Sequence, residues 1–262
     1  MIAALTRSIL PLVFGMAVLG LWQALVVLND VPPYILPAPS DIAFSLWVDG
    51  PGLLSALAVT LQVTLAALLL ACLTGTGLAV LLVQSDTLER MLMPYAVFLQ
   101  VTPIVTVAPF IIIWVDSVFV VLLILAWMAA VFPIISNTLL GLKSADRNLR
   151  DLFRLYGATR AQTLRRLLIP SALPYFLGGL RISGGLALIG TVVAEMVAGT
   201  SGQSSGLAAR LLEASYRLEL ARALACFVLL SVTGYALYGA LNWVSHRLLR
   251  HWHDSVLDNT QG

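Results

Sequence analysis

The sequence has 262 residues, of which 60% are hydrophobic and only 11% are charged. About a quarter of the residues in soluble domains are charged, so this composition argues against a soluble enzyme or binding module and indicates a membrane protein with several spans. The net charge of +2 is too small to support binding of nucleic acid.

The sequence offers no nucleotide or metal site of its own. A P-loop requires a Gly-Lys-Ser/Thr sequence, and Lys143, the only lysine, follows Leu142. Cys72 and Cys226 lie within apolar runs, which indicates buried core residues and neither a disulfide framework nor a metal site. We therefore expect that this chain binds no cofactor and is not an enzyme.

Six apolar segments are long enough to cross a bilayer, which takes about 20 residues of helix. We therefore predict an all-α, polytopic membrane protein with six transmembrane helices in a single domain over residues 1–262. A signal peptide is disfavoured for the first segment, because its apolar region would span only about 7–15 residues. The predicted spans are residues 8–29, 53–85, 91–115, 117–142, 175–199 and 223–245.

The third span is interrupted by prolines. Pro94, Pro103 and Pro109 each free a backbone carbonyl, which is tolerated where protein or a water-filled cavity covers it. A helix that lines a translocation pathway and a kinked packing helix are both open. The residues predicted to line the pathway in this span are Gln100, Thr102, Pro103, Thr106 and Pro109.

The fifth span carries small residues at a spacing of four, which lets a second helix approach closely. This predicted packing stripe consists of Gly179, Ser183, Ala187 and Thr191. It ends on Glu195, and a carboxylate in a span usually faces a cavity or a partner. Three interpretations stay open for Glu195: it lines the outer half of the pathway as part of a gate, it pairs with Arg210 or Arg222, or it lies at the membrane interface with its carboxylate in water.

A charged loop, residues 144–174, separates the fourth and fifth spans and reads as two short helices joined by a bend. The first helix is predicted from about Ala145 to Tyr156. Gly157 follows where a left-handed residue commonly ends a helix. Thr159 and Gln162 fit a capping box that starts the second helix. Pro170 and Pro174 are expected to close the segment.

The distribution of cations predicts the orientation. With the N-terminus inside, Arg90, Lys143 and the arginines of the charged loop all lie in the cytoplasm, and only Arg210, Arg217 and Arg222 lie outside. The positive-inside rule therefore favours both termini in the cytoplasm, with the charged loop on the same side.

The charged loop resembles the EAA loop of bacterial ABC-importer permeases, read as E-A-A, three residues, Gly, nine residues, I-x-L-P. Asp151 takes the acidic position, Leu152 and Phe153 replace the two alanines, and Gly157 and Pro170 match outright. The bulkier pair affects the packing of the first helix. By this resemblance the ATPase-coupling residues are Asp151, Gly157, Ala158, Thr159, Arg160, Gln162, Leu167, Ile169 and Pro170.

The connector Leu36-Pro37-Ala38-Pro39-Ser40 is similar to the one that follows the first helix in permeases of the nitrate, sulfonate and taurine group. The resemblance implies a permease subunit of an ATP-driven importer in the bacterial cytoplasmic (inner) membrane. Its implied partners are a second permease subunit, expected to be identical, two ATPase subunits that bind the ATP and Mg, and an extracytoplasmic substrate-binding protein. Membrane lipid is expected around the chain.

Two other function classes stay open from the residues alone. An ion- or proton-coupled secondary transporter usually needs several ionisable groups inside its spans, and only Glu195 lies well inside one. A non-transporting membrane scaffold would leave the broken third span and the Glu195 stripe without a purpose. The sequence does not indicate which solute is transported.

Overall fold

The computed structural model describes residues 2–199 and 205–250, with side chains from residue 10 onward except that of residue 12. Within these ranges the regular structure is entirely helical, which confirms the predicted all-α class. The elements are α1 (Ile2–Leu28), α2 (Pro39–Val48), α3 (Gly50–Leu82), α4 (Asp86–Val101), α5 (Ile104–Trp114), α6 (Val118–Lys143), α7 (Arg147–Leu155), α8 (Arg160–Thr163), a π-helical turn (Leu164–Leu168), α9 (Ile169–Ala198), α10 (Leu207–Tyr216) and α11 (Leu220–Leu249).

Four of the described helices are long and apolar enough to cross a membrane: α3, α6, the continuous helix Arg160–Ala198, and α11. The pair α4 and α5 passes the same test only if the two helices count as one bent span, and α1 contributes a shorter apolar stretch, Val13–Leu28. The described residues therefore give four or five spans by length and composition, and the count of six stays a prediction.

The third predicted span is broken at Pro103, where α4 and α5 meet at 98°. Thr102 has an extended backbone (φ −69°, ψ 121°), because the proline ring disfavours a helical conformation in the residue before it. Pro94 and Pro109 lie inside α4 and α5, which continue through them. The kink in this span thus comes from one of its three prolines.

The described chain divides into two compact units, one made of residues up to Val59 with those from 205 to Ser231, and one made of Thr60–Gly199 with the residues from Val232 onward. α3 and α11 each contribute residues to both units. The prediction of a single domain over residues 1–262 stays a prediction.

The larger unit is built on an antiparallel contact between α6 and α9. A Cβ added at Gly179 would lie 2.7 Å from the Pro133 carbonyl oxygen, and one added at Gly190 would lie 3.0 Å from the Ala126 Cα. Between these points the Ser183 hydroxyl donates to the Ala130 carbonyl at 2.6 Å. Small residues therefore bring the two backbones together over most of their length.

A third helix, α3, packs against α6. A Cβ at Gly75 would lie 2.8 Å from a methyl carbon of Ile134, so α6 also approaches α3 closely. Trp127 on α6 donates its indole N–H to the Thr74 hydroxyl at 2.9 Å. Gly77, in contrast, has open space around its Cβ position, so only one of the two neighbouring glycines serves packing.

The expectation that Pro170 and Pro174 close the charged segment is wrong, because one helix runs through both from Arg160 to Ala198. Pro170 has no N–H to complete an α-helical hydrogen bond. The turn before it is π-helical, and there the Ile169 N–H donates to the carbonyl of Leu164, five residues back. This wider turn lets the helix continue past the proline.

The smaller unit orders the proline-rich connector. Pro39 opens α2, and the Ala38 N–H donates to the Asp41 carboxylate at 3.0 Å. The Gln23 side chain of α1 bonds both the backbone N–H and the hydroxyl of Ser40, each at 3.1 Å. Arg222 of α11 pairs with Asp49 at 3.5 Å. Side-chain hydrogen bonds thus fix this connector.

We predict that Gly179→Ala lowers the free energy of unfolding by about 1–3 kcal/mol, the usual cost of overpacking. The added methyl would meet a backbone carbonyl, which cannot rotate away. Gly178→Ala is the matched control, because its Cβ position is open and alanine is the better helix former. Thermal unfolding in detergent measures both. Equal stability of the two variants would contradict close packing at Gly179.

Candidate functional site

The first candidate site is the bend between α7 and α8. Asp146 caps α7, since its carboxylate accepts hydrogen bonds from the N–H groups of Asn148 and Leu149 at 2.7 and 3.3 Å. α7 ends at Leu155. Gly157 then has a φ of 67°, the left-handed conformation predicted from the sequence.

Two backbone hydrogen bonds lock this bend. The Ala158 N–H donates to the Phe153 carbonyl at 2.9 Å, and the Gly157 N–H donates to the Arg154 carbonyl at 3.0 Å. This is the Schellman pattern that ends helices with a left-handed glycine. No heavy atom lies within 4 Å of a Cβ built on Gly157, so the requirement for glycine here is conformational and not steric.

The predicted capping box follows at once and is confirmed. The Gln162 N–H donates to the Thr159 hydroxyl at 3.2 Å, and the Thr159 N–H donates to the Gln162 side-chain oxygen at 2.8 Å. α8, the π-helical turn and α9 then continue as one helix to Ala198. The bend over residues 156–159 therefore connects α7 to the longest continuous helix of the larger unit.

α7 has two chemically distinct faces. None of its residues is buried. Leu149, Leu152 and Tyr156 share one face, and Tyr156, just after the helix, is 81% exposed. Arg147, Arg150 and Arg154 share the other face. An exposed short helix that presents apolar side chains is a surface available to a protein partner.

Arg150 ties α7 to the end of α6. One of its terminal guanidinium nitrogens donates to the carbonyls of Leu142 and Lys143 at 3.0 and 2.8 Å. These carbonyls belong to the last turn of α6 and would otherwise lack helical partners. Nearby, Lys143 pairs with Glu89 of α4. Sequence reasoning missed both contacts, although an arginine within a few residues of a helix C-terminus is a recognised capping signal.

The remaining residues of the predicted coupling set lie in different environments. Leu167 is buried, and Ala158 and Pro170 are partly buried. Asp151, Arg160 and Ile169 are exposed, as are the capping residues Thr159 and Gln162. The set therefore contains a buried hydrophobic anchor, Leu167, and an exposed polar group around the bend.

The second candidate site is a buried polar contact between α3 and α9. Glu195 is 1% exposed, and one of its carboxylate oxygens accepts a hydrogen bond from the Thr60 hydroxyl at 3.2 Å. One helical turn away on each helix, the hydroxyls of Thr64 and Thr191 lie 3.1 Å apart. The packing stripe thus ends in a ladder of four polar side chains.

The predicted packing stripe is buried along its whole length. Gly179 and Ser183 face α6, Ala187 is 0% exposed, and Thr191 faces α3. Arg222, one of the two arginines considered as partners for Glu195, pairs with Asp49 and Glu219 at 3.5 and 3.4 Å within the smaller unit.

The residues predicted to line the pathway do not share one environment. Gln100, Pro103, Thr106 and Pro109 are exposed on α4, on α5 and at the break between them, whereas Glu195 is buried. The hydroxyls of Thr102 and Thr106 donate to the carbonyls of Phe98 and Pro103, both at 2.7 Å. The backbone N–H groups of Thr102 and Thr106 donate to the same two carbonyls, both at 3.1 Å, so each hydroxyl adds a second hydrogen bond to a carbonyl that already has one.

This chain is similar to proteins of a known family. The family described as binding-protein-dependent transport system inner membrane component matches residues 67–250. A probable ABC transporter permease protein of Haemophilus influenzae is 29% identical, over 93% of this chain and 98% of its own length. The riboflavin transport system permease protein RibX of Chloroflexus aurantiacus is 34% identical, over 92% of this chain and 88% of its own.

A solved structure shares the fold. A chain of the MetNI methionine ABC transporter in an inward-facing conformation aligns with a TM-score of 0.60 at 17% identity, covering 77% of this chain and 96% of that one. Permeases named for sulfonate, taurine and nitrate transport are among the relatives, which confirms the resemblance stated from the sequence. This chain belongs to the family of binding-protein-dependent transport system inner membrane components and is a permease subunit of an ABC importer.

Proposed function

We propose that the charged loop, residues 144–174, couples this permease to an ATPase subunit. The observation that carries the proposal is the bend at Gly157, which connects an exposed amphipathic helix to a continuous transmembrane helix through a Schellman motif and a capping box. Hydrogen bonds restrict the backbone of the four residues, 156–159, that separate the two helices. A displacement of α7 is therefore transmitted to α9 as a rigid-body movement.

The contacts on either side of the bend connect α7 to two helices, α6 and α9. Arg150 links α7 to the last carbonyls of α6, and α8 continues directly into α9. α6 and α9 pack so closely that backbone atoms limit their separation. Densely packed helices shift as units and do not deform continuously, so we expect α6 and α9 to move together when an ATPase pulls on α7.

We propose that the surface offered to the ATPase is the apolar face of α7, formed by Leu149, Leu152 and Tyr156. These side chains are exposed in the chain, with Leu152 45% and Tyr156 81% accessible. A buried cluster of aromatic and aliphatic anchors is the common core of a protein interface. Asp151 and Arg160 then supply polar contacts at its edge.

The complete importer is proposed to contain two copies of this permease, two ATPase subunits and an extracytoplasmic substrate-binding protein, embedded in the lipid of a bacterial cytoplasmic membrane. ATP and Mg are bound and ATP is hydrolysed in the ATPase subunits. The cation distribution supports an orientation with both termini and the charged loop in the cytoplasm. The relatives are named for riboflavin, taurine and nitrate transport, so their names do not select a solute for this chain.

The pathway is proposed to run along the exposed side of α4 and α5. Gln100, Pro103, Thr106 and Pro109 present polar atoms or a broken helix there. Irregular backbone inside a membrane is tolerated where it lines an aqueous cavity or is covered by protein. A second copy of the chain facing this side would enclose such a cavity and cover the irregular backbone with protein.

Glu195 is proposed to hold α9 against α3 at the end of the packing stripe.

We predict that Gly157→Val weakens association with the ATPase subunit about fivefold or more, since a β-branched residue at positive φ costs about 1–3 kcal/mol. Gly157→Asn is the matched control, because asparagine tolerates the left-handed conformation. Pull-down of the ATPase by the purified permease measures both. Unchanged binding in the valine variant would contradict the coupling role. Equal loss in both variants would mean that any side chain at 157 blocks the contact, and that φ is not the cause.

Topology provides a separate test. Reporter fusions after Asn29 and Asp116 are expected to report an extracytoplasmic location, and fusions after Asp86 and Asp146 a cytoplasmic one, because the cations then lie inside. Paired phosphatase and fluorescent-protein reporters in the same cells measure this. An extracytoplasmic signal after Asp146 would remove the charged loop from the reach of any ATPase and overturn the proposal.

For Glu195 we predict that the change to alanine lowers the free energy of unfolding by about 1–3 kcal/mol, the cost of leaving a buried polar group without its partner. Glu195→Gln keeps an acceptor for the Thr60 hydroxyl and is expected to stay close to wild type. A double-mutant cycle with Thr60→Val isolates the pair. Additive effects would exclude the contact, and a stable Gln variant with altered ATPase stimulation by binding protein would favour the gate.

A further inference from the structure

A cleft of about 760 Å³ lies between the arginine face of α7, the bend with α8, and the end of α3. This volume is in the range of small-ligand sites. Its charged lining residues are Arg147, Arg150, Asp151, Arg154 and Arg160, and apolar side chains line it as well.

The cleft carries an excess of positive charge. Four arginines and one aspartate line it, so the formal balance is four minus one, or +3. Among the described residues none of these four arginines forms an ion pair, whereas Lys143, Arg217 and Arg222 do. Four like charges around one cleft repel each other, and an anion held between them removes that repulsion.

Arg150 is already positioned for such an anion. Two carbonyls of α6 fix one of its terminal nitrogens, so the guanidinium is held in place. Its Nε is buried and has no hydrogen-bond partner within the described residues. A buried N–H donor without a partner is uncommon, and this one belongs to a guanidinium that lines the cleft. Guanidinium groups bind phosphate and carboxylate through paired hydrogen bonds.

One wall of the cleft is apolar. α3 is an uncharged helix up to Leu82, and the cleft begins at the next residue, Val83. Leu164 and Leu168 line it from the π-helical turn that leads into α9. The cleft therefore lies where two membrane-spanning helices reach their ends, with cations on one side and hydrocarbon on the other. This arrangement matches an amphiphile with an anionic head.

We propose that this cleft binds the phosphate group of an anionic phospholipid, with its acyl chains against Val83, Leu164 and Leu168. Basic pockets between spans on the cytoplasmic side commonly take anionic head groups. A carboxylate of the ATPase subunit is the competing occupant. It is disfavoured because the exposed apolar face of α7 lies on the opposite side of the helix from the arginines, and because a protein carboxylate does not use the apolar wall.

The test uses the full-length chain reconstituted in nanodiscs of equal parts phosphatidylethanolamine and phosphatidylglycerol. Retained lipid is identified by native mass spectrometry after transfer to detergent. The cleft variant is Arg147→Gln with Arg154→Gln, which spares Arg150 and its bonds to α6. The matched control is Arg165→Gln with Arg166→Gln, since these two exposed arginines belong to the same loop but do not line the cleft.

We expect the wild type and the control to retain phosphatidylglycerol in preference to phosphatidylethanolamine. The cleft variant should retain it roughly 25-fold less, about fivefold for each arginine removed. Thermal unfolding of each variant tests whether the fold is kept, and we expect that it is. Arg154→Gln alone should lower retention about fivefold and provides a second measurement if the double variant is unstable.

Three results would overturn the proposal. Equal loss in the cleft variant and the control would mean that the loop attracts the membrane surface without a specific site. Inorganic phosphate that binds the wild type but not the cleft variant, with no preference for phosphatidylglycerol in either protein, would mean that the cleft takes a soluble anion. Loss of ATPase pull-down in the cleft variant with lipid retention unchanged would assign the arginines to the protein partner.

Discussion

The close approach of α6 and α9 is the constraint on which the larger unit depends. Gly179 and Gly190 place backbone against backbone, and Ser183 adds a hydrogen bond to the carbonyl of Ala130 between them. In a membrane, helices are surrounded by chains as apolar as their own side chains, so close packing and hydrogen bonding must supply the association that water supplies elsewhere. Small residues on α9 make both possible.

This constraint also supports the proposed coupling role of the charged loop. α7 is attached at one end to α6 by Arg150 and at the other to α9 by the bend. Because α6 and α9 are already held together, the two attachments meet in one rigid body. The proposed coupling movement therefore needs no chain of small side-chain shifts between the ATPase and the membrane.

Local features were predictable from the sequence, and contacts between distant segments were not. Gly157 and the Thr159–Gln162 capping box depend on residues within one or two turns, so their types and spacing are sufficient. The stripe at Gly179 and Ser183 was also visible, since helical periodicity marks a face. The identity of the facing helix, and the bond between Thr60 and Glu195, join residues far apart in the chain and depend on tertiary packing.

Prolines were the least reliable guide. The rule that proline ends a helix holds at Pro103 but fails at Pro94, Pro109 and Pro170. A membrane-spanning helix can continue through a proline, as at Pro94 and Pro109, or through a wider turn just before one, as at Leu164–Leu168. Which prolines break the chain is therefore decided by their surroundings.

Gly157 combines a left-handed backbone with empty space on every side of its missing side chain. The position thus discriminates between mirror images and not between sizes. An L-residue is penalised there because of its handedness, whereas a D-amino acid finds its preferred backbone region and meets no atom. A D-alanine at this point would keep the geometry of the bend and reduce the freedom of the unfolded chain, which stabilises the folded state. Chirality, more than volume, is what the bend selects.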